Sequence, residues 1–191
     1  MDRFGFDTYI IRKKVLRLFG GSFFVHNNFG ELVLYASMDA FKLKEDIRLF
    51  TGEDQQSEVL SIKARRVMDF SGTYDITDSR TGERIGGLQR KGLRSIVQDE
   101  WTIFDAQEQK IGILREDSTG MALLRRFLTN LIPQSFDAII RGVPLATYHQ
   151  NINPFIKRMM VDFSLDPRKQ FDRRLGVAAG ILLCSIEGRQ D

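Results

Sequence analysis

The chain has 191 residues, 42% hydrophobic and 28% charged, with 28 Lys and Arg against 25 Asp and Glu for a formal charge of +3. A chain of this size hides roughly 70% of its unfolded surface, so residues 1–191 read as one domain with its own core, and the charge is too balanced for an obligate nucleic-acid coat. One cysteine excludes an intrachain disulfide and a Cys-rich zinc site, and two histidines exclude a His-rich metal cluster.

Met1 to Asp7 carries Asp2, Arg3 and Asp7 and no long apolar run, which is not the pattern of a secretory signal; the expected address is cytoplasmic. Thr8–Arg12 reads as a first strand. Phe23–Val25 and Leu32–Tyr35 flank a turn cluster ending at Gly30. Ile47–Phe50 and the cleanly alternating Leu60–Arg65 flank Thr51-Gly52-Glu53-Asp54. Tyr74 to Gly86 repeats the pattern around Gly82. Trp101 to Gly112 repeats it without a turn glycine, and Ala138 to Ala146 gives a shorter version at Gly142. Phe155–Phe163 is a last strand. Five hairpins and two end strands make about twelve strands. The turns read as unequally spaced, which points to a hairpin series and not to a solenoid or propeller.

Two segments have a helical period. Ser118 to Leu131 places Met121, Leu124, Leu128 and Leu131 on one stripe, with Ser118 as N-cap and Pro133 past the end. Asp172 to Glu187 has Asp172 as cap and Gly188 beyond its end, and from Val177 to Leu183 it is apolar on every side. The apolar stretch Leu175–Ile186 spans about 18 Å as a helix, short of a ~30 Å hydrocarbon core, so no transmembrane span is expected. A helix without a polar face needs a sheath. The simplest is a mainly β, closed antiparallel barrel of about twelve strands around that buried C-terminal helix, with one amphipathic helix besides. Gly176 and Gly180, four apart, resemble a membrane dimerisation face, but close approach of the barrel wall explains them more simply.

The segments FGGSF, AFKLKEDIRLF, IKARRVMDFSGTYDI, GLQRKGLRSIVQDEW, NLIPQSFDA and DRRLGVAAGILL together resemble the LURP-one-related and phospholipid-scramblase-like family of the tubby C-terminal-like superfamily. The resemblance runs from about Tyr9 to Gln190. It implies a twelve-stranded barrel around a buried C-terminal helix, and a role at membranes, in stress responses or in regulation. Fold alone does not carry function.

Catalytic signals are absent from the sequence. Cys184 lies in the apolar helix, where an inert core thiol is the simpler reading. His26 sits beside a turn and His149 near a strand end, far apart in sequence. There is no GxSxG, HExxH or Walker sequence, and Gly20-Gly21 opens no helix. A non-enzymatic protein without a cofactor is expected. Scramblases of the superfamily carry an acidic segment before the last helix. Here Asp162, Ser164 and Asp166 fit the first, third and fifth positions of a calcium loop, but Pro167 stands where Gly is wanted and Arg173 where the bidentate Glu belongs. No metal site is expected.

The basic residues remain. Lys42, Lys44 and Arg48 share one strand parity, Lys63 and Arg65 another, and Arg90 and Lys91 follow the third hairpin; Arg12-Lys13-Lys14 and Arg17 form a further run. A solvated outer face is the simpler reading. The sharper one is that neighbouring strands align Lys42, Lys44, Arg48, Lys63, Arg65, Arg90 and Lys91 into an anion-binding patch, as resemblance to tubby domains implies for lipid headgroups. Each cation near an anionic membrane contributes about 1 kcal/mol. Glu45, Asp46, Asp69, Asp99 and Glu100 interrupt the clusters. The expected function is a cytoplasmic or membrane-peripheral module that binds anionic phospholipid headgroups, with no nucleic-acid partner. The alternative is a cytoplasmic protein-interaction adaptor. A scramblase-like lipid mover needs a real membrane span.

Overall fold

Alternation with a period of two gives each strand one apolar and one polar face, and a sheet of such strands buries the apolar side by closing on itself. A computed structural model of the chain describes residues 2–14, 21–38, 46–65, 72–91, 100–117, 134–151 and 156–186. They form β1 (Thr8–Lys14), β2 (Gly21–Asn27), β3 (Leu32–Met38), β4 (Asp46–Phe50), β5 (Glu58–Ala64), β6 (Thr73–Asp78), β7 (Arg84–Arg90), β8 (Glu100–Phe104), β9 (Lys110–Glu116), β10 (Ser135–Ile140), β11 (Val143–Asn151) and β12 (Ile156–Asp162), followed by α1 (Arg173–Ile186). Each strand pairs antiparallel with its neighbours in sequence, and β1 pairs with β12 to close the barrel. The twelve-stranded barrel with a C-terminal helix is the architecture the sequence led us to expect. The helix expected over 118–131 lies outside the described residues.

Five hairpin turns and the loop into α1 stand at one end of the barrel; the connections at the other end lie outside the described residues. Gly30, Gly82 and Gly142 take the left-handed conformation that three of the turns require. Glu108, with φ of 63°, does the same in the turn that has no glycine, and Gln55, not Gly52, does it between β4 and β5. Next to every turn the register shifts by one residue, leaving Val33, Val59, Ile85, Ile111 and Leu145 as the extra residue on the second strand. Such bulges raise the local twist and favour closure. The second strands of four successive hairpins begin at Leu32, Glu58, Arg84 and Lys110, 26 residues apart each time. The first four hairpins therefore keep one phase that their turn residues do not show, while β11 begins 33 residues after β9, so the five together are unequally spaced, as the turns read. Turn residues and turn lengths vary while strand phase is held by the barrel.

α1 fills the barrel. Val177, Ala178, Ala179, Ile181, Leu182 and Leu183 are each at most 1% exposed, and the helix lies against β1, β7 and β12. Tyr148 from β11 donates its hydroxyl to the Gly176 carbonyl at 3.0 Å, and burial pushes that phenol's pKa up. Asp172 caps the helix as expected, accepting the Arg174 N–H at 2.9 Å. The two glycines serve the wall: a Cβ on Gly176 would stand 2.4 Å from Phe163 Cζ, and one on Gly180 would stand 2.7 Å from Ile11 Cδ1 and 2.8 Å from Val161 Cγ2. Phe163 is held between Tyr9 and Phe171 and has no room to retreat. Gly176→Ala is therefore expected to destabilise although alanine is the better helix former. Overpacking of about 1–3 kcal/mol outweighs a propensity gain of about 1, and a melting temperature at or above the wild-type value would contradict this packing.

At the turn end the helix is tied down by charge. Asp166 is fully buried and accepts the backbone N–H groups of Gln170 and Phe171, both at 2.9 Å, and the Arg173 guanidinium at 2.8 Å. Arg173 also stacks over Phe163 at 4.3 Å. Arg174 reaches Asp78 at the end of β6 at 3.2 Å. No helix among the described residues is long and apolar enough to cross a membrane. The outward strand positions carry charges such as Lys14, Arg48 and Lys63, the reverse of a lipid-facing barrel wall.

Candidate anion-binding surface

With the interior filled, the outer wall is where polar chemistry is displayed. The fold brings part of the predicted basic patch together. Arg48 on β4 and Lys63 on β5 point outward, and Arg65 follows directly after β5. Arg90 has the parity of the buried Leu88 and lies opposite Trp101, so it is turned away from them. Burial raises the Tyr74 phenol, and Arg90 partly offsets this. Lys42 and Lys44 lie outside the described residues. The described outward cations of this predicted patch are matched by carboxylates. Arg48 pairs with Asp46 at 3.1 Å and Glu58 at 3.2 Å. Lys63 stands in register between Asp46 and Asp75, and Lys91 pairs with Glu100.

Arg65 is part of a closed network. Its Nε and Nη2 grip both oxygens of Asp75 at 2.6 and 2.7 Å, and its Nη2 also reaches Glu108. Arg84 donates to Asp75 at 3.0 Å and to the carbonyls of Asp105 and Ala106 at 3.0 and 2.8 Å. It crosses the outward side of Gly87, where a Cβ would lie 3.1 Å from its Nη2. A pocket of about 190 Å³ opens there, lined by Arg65, Thr73, Arg84, Gln89, Phe104 and Glu108. Burial would raise the Asp75 carboxyl, but the two guanidinium groups more than offset this and hold it below the usual carboxylate range. Two cations and two carboxylates cancel, so this network fastens the hairpins together and exerts little pull on an outside anion.

A second group of cations has no such compensation. Arg12 on β1 and Arg158 on β12 are direct partners in the register that closes the barrel, and both alternate with buried residues, so they share the outer face. Neither forms an ion pair with a carboxylate among the described residues, and the Nε of each is buried without a partner. Lys14, two residues along β1, is exposed on the same face. His26 on β2 lies one row away; burial first, and Arg12 second, lower its pKa, and its Nδ1 is also buried without a partner. Sequence reading noted the run Arg12-Lys13-Lys14 but not Arg158, because nothing local connects positions 146 residues apart. Only barrel closure places them side by side. Lys13, at the inward parity, instead lies over the Phe23 ring.

The groups considered for catalysis stay apart. Cys184 is buried, and His149 shares a hydrogen bond with Ser135 Oγ at 3.0 Å and stands three strands from His26, with Ile10 and Met160 between them in the same row. Asp162 accepts the backbone N–H of Ser164 at 2.8 Å and its hydroxyl at 2.5 Å, while Asp166 faces inward to Arg173. Among the described residues no three His, Cys, Asp or Glu side chains converge to hold a metal ion. Comparison of the chain with family models, with curated proteins and with solved structures finds no match.

Proposed function

We propose that the chain is a tubby C-terminal-like domain of LURP-one-related type that acts without catalysis, at the cytoplasmic face of a membrane, by binding anionic headgroups on its outer wall. The observation that carries this is the in-register pair Arg12 and Arg158, with exposed Lys14 beside it and no compensating carboxylate among the described residues. A formal charge of +3 gives little long-range attraction, so local arrangement must supply it. Each cation brought to an anionic surface adds about 1 kcal/mol, and salt screens this over a Debye length of about 8 Å. The predicted patch at Arg48, Lys63, Arg65 and Lys91 contributes less, because its charges are already matched.

The test is sedimentation with neutral and with anionic vesicles at low and at physiological salt. Binding to anionic vesicles alone, falling steeply as salt rises, is the expected result. Equal sedimentation with both vesicle types, or none with either at low salt, removes the lipid reading. An adaptor function then stands ahead, and one observation favours it: Phe29 and Leu165 in connections and Val143 at the start of β11, which are 76%, 54% and 52% exposed, all lie at the turn end of the barrel.

A further inference from the structure

We propose that Arg12 and Arg158 together hold one phosphate monoester group against the outer wall of β1 and β12. This rests on the outer-wall reading above and names the chemistry of its ligand. Like charges placed directly opposite on adjacent strands repel, their Cβ atoms being roughly 4.5–5.5 Å apart. Elsewhere on the described wall arginines are met by carboxylates: Asp46 and Glu58 serve Arg48, and Asp75 serves both Arg65 and Arg84. At Arg12 and Arg158 no carboxylate among the described residues takes that place, and the two shielded Nε–H groups face no acceptor.

An acceptor shared by both must carry more than one negative charge and several oxygens, since two guanidinium groups on directly paired strand positions would bind it. A phosphate monoester meets both needs: two of its oxygens can accept paired N–H groups from one arginine and the remainder face the other. A single carboxylate has too few oxygens and half the charge. Lys14 adds a movable cation at the rim, and Asn151, the register partner of Arg158 on β11, adds an amide. Met160, on the same face of β12, is exposed and gives apolar ground beside the charged pair.

The experiment uses inorganic phosphate first. Calorimetric titration of the full chain, at constant ionic strength in chloride, should show phosphate binding. Arg12→Gln and Arg158→Gln should each weaken it at least about tenfold, the scale set by losing one charge-assisted pair of hydrogen bonds. Arg12→Lys and Arg158→Lys keep the charge and lose the fork, so they should fall between, and they guard against a fault in folding. Vesicles containing phosphatidic acid, compared with phosphatidylserine at equal surface charge, identify the source of the phosphate. A preference for phosphatidic acid that the Gln variants lose assigns a lipid headgroup, whereas phosphate binding without that preference assigns a soluble phosphate. Absence of phosphate binding, or binding unchanged in both Gln variants, overturns the site. If phosphatidylserine vesicles still bind in that case, the outer-wall reading survives while this site does not.

Discussion

Leu182→Asp is expected to abolish soluble, folded protein. Leu182 is 1% exposed in the middle of a helix that fills the barrel. Removing its side chain costs about 2–5 kcal/mol, and an uncompensated buried carboxylate costs several more, against a total stability of about 5–15. Protonation of the new carboxyl relieves its charge but leaves a buried polar group with no arranged partner. Because the helix touches the wall on several sides, the barrel has no other way to fill its interior. The measurement is size-exclusion chromatography followed by thermal melting. Leu165→Asp serves as the control, since that side chain is largely exposed and its replacement should leave melting nearly unchanged. Cooperative melting of Leu182→Asp within a few degrees of wild type would show that α1 is not the core.

Asp166→Asn should lower stability by about 3–5 kcal/mol, the usual cost of leaving one member of a buried ion pair behind. Asp166 and Arg173 are 0% and 4% exposed at the side chain, so water cannot take the place of the lost charge. Burial tends to raise the Asp166 carboxyl, but the N–H groups of Phe171 and Gln170 and the Arg173 guanidinium prevail and hold it below the usual range. Stability from a depressed carboxyl is fully present above the unfolded value of about 3.9 and is lost as pH falls through the lower folded value. Wild-type protein should thus lose this contribution in acid, and Asp166→Asn should lack that part of the pH dependence. Urea unfolding at neutral pH and at about pH 3, for Asp166→Asn, Arg173→Met and the double variant, checks both statements. The double variant should lose less than the two single losses combined, because no charge is left unpaired. A loss below 1 kcal/mol for Asp166→Asn, or strictly additive losses, would mean that the pair does not anchor the helix.

What the sequence alone determined about this protein is local and periodic. Alternation over Leu60–Arg65, turn residues at Gly30, Gly82 and Gly142, the capping Asp172 and the all-round apolar run from Val177 to Leu183 each encode their structure within a few residues. They were enough to require a closed barrel with a helical core, because a helix without a polar face and strands with one apolar face each have few other ways to be buried. The regular 26-residue phase of the first four hairpins was hidden by turns of different composition, where Glu108 and Gln55 do the work expected of glycine. Charge compensation was equally hidden. Nothing in the spacing of Arg65, Asp75, Arg84 and Glu108 says that they meet, and nothing marks Arg12 and Arg158 as neighbours. Strand register across the closed barrel decided which cations are matched and which are not, because pairing between strands depends on alignment of whole elements and not on the identity of any one residue.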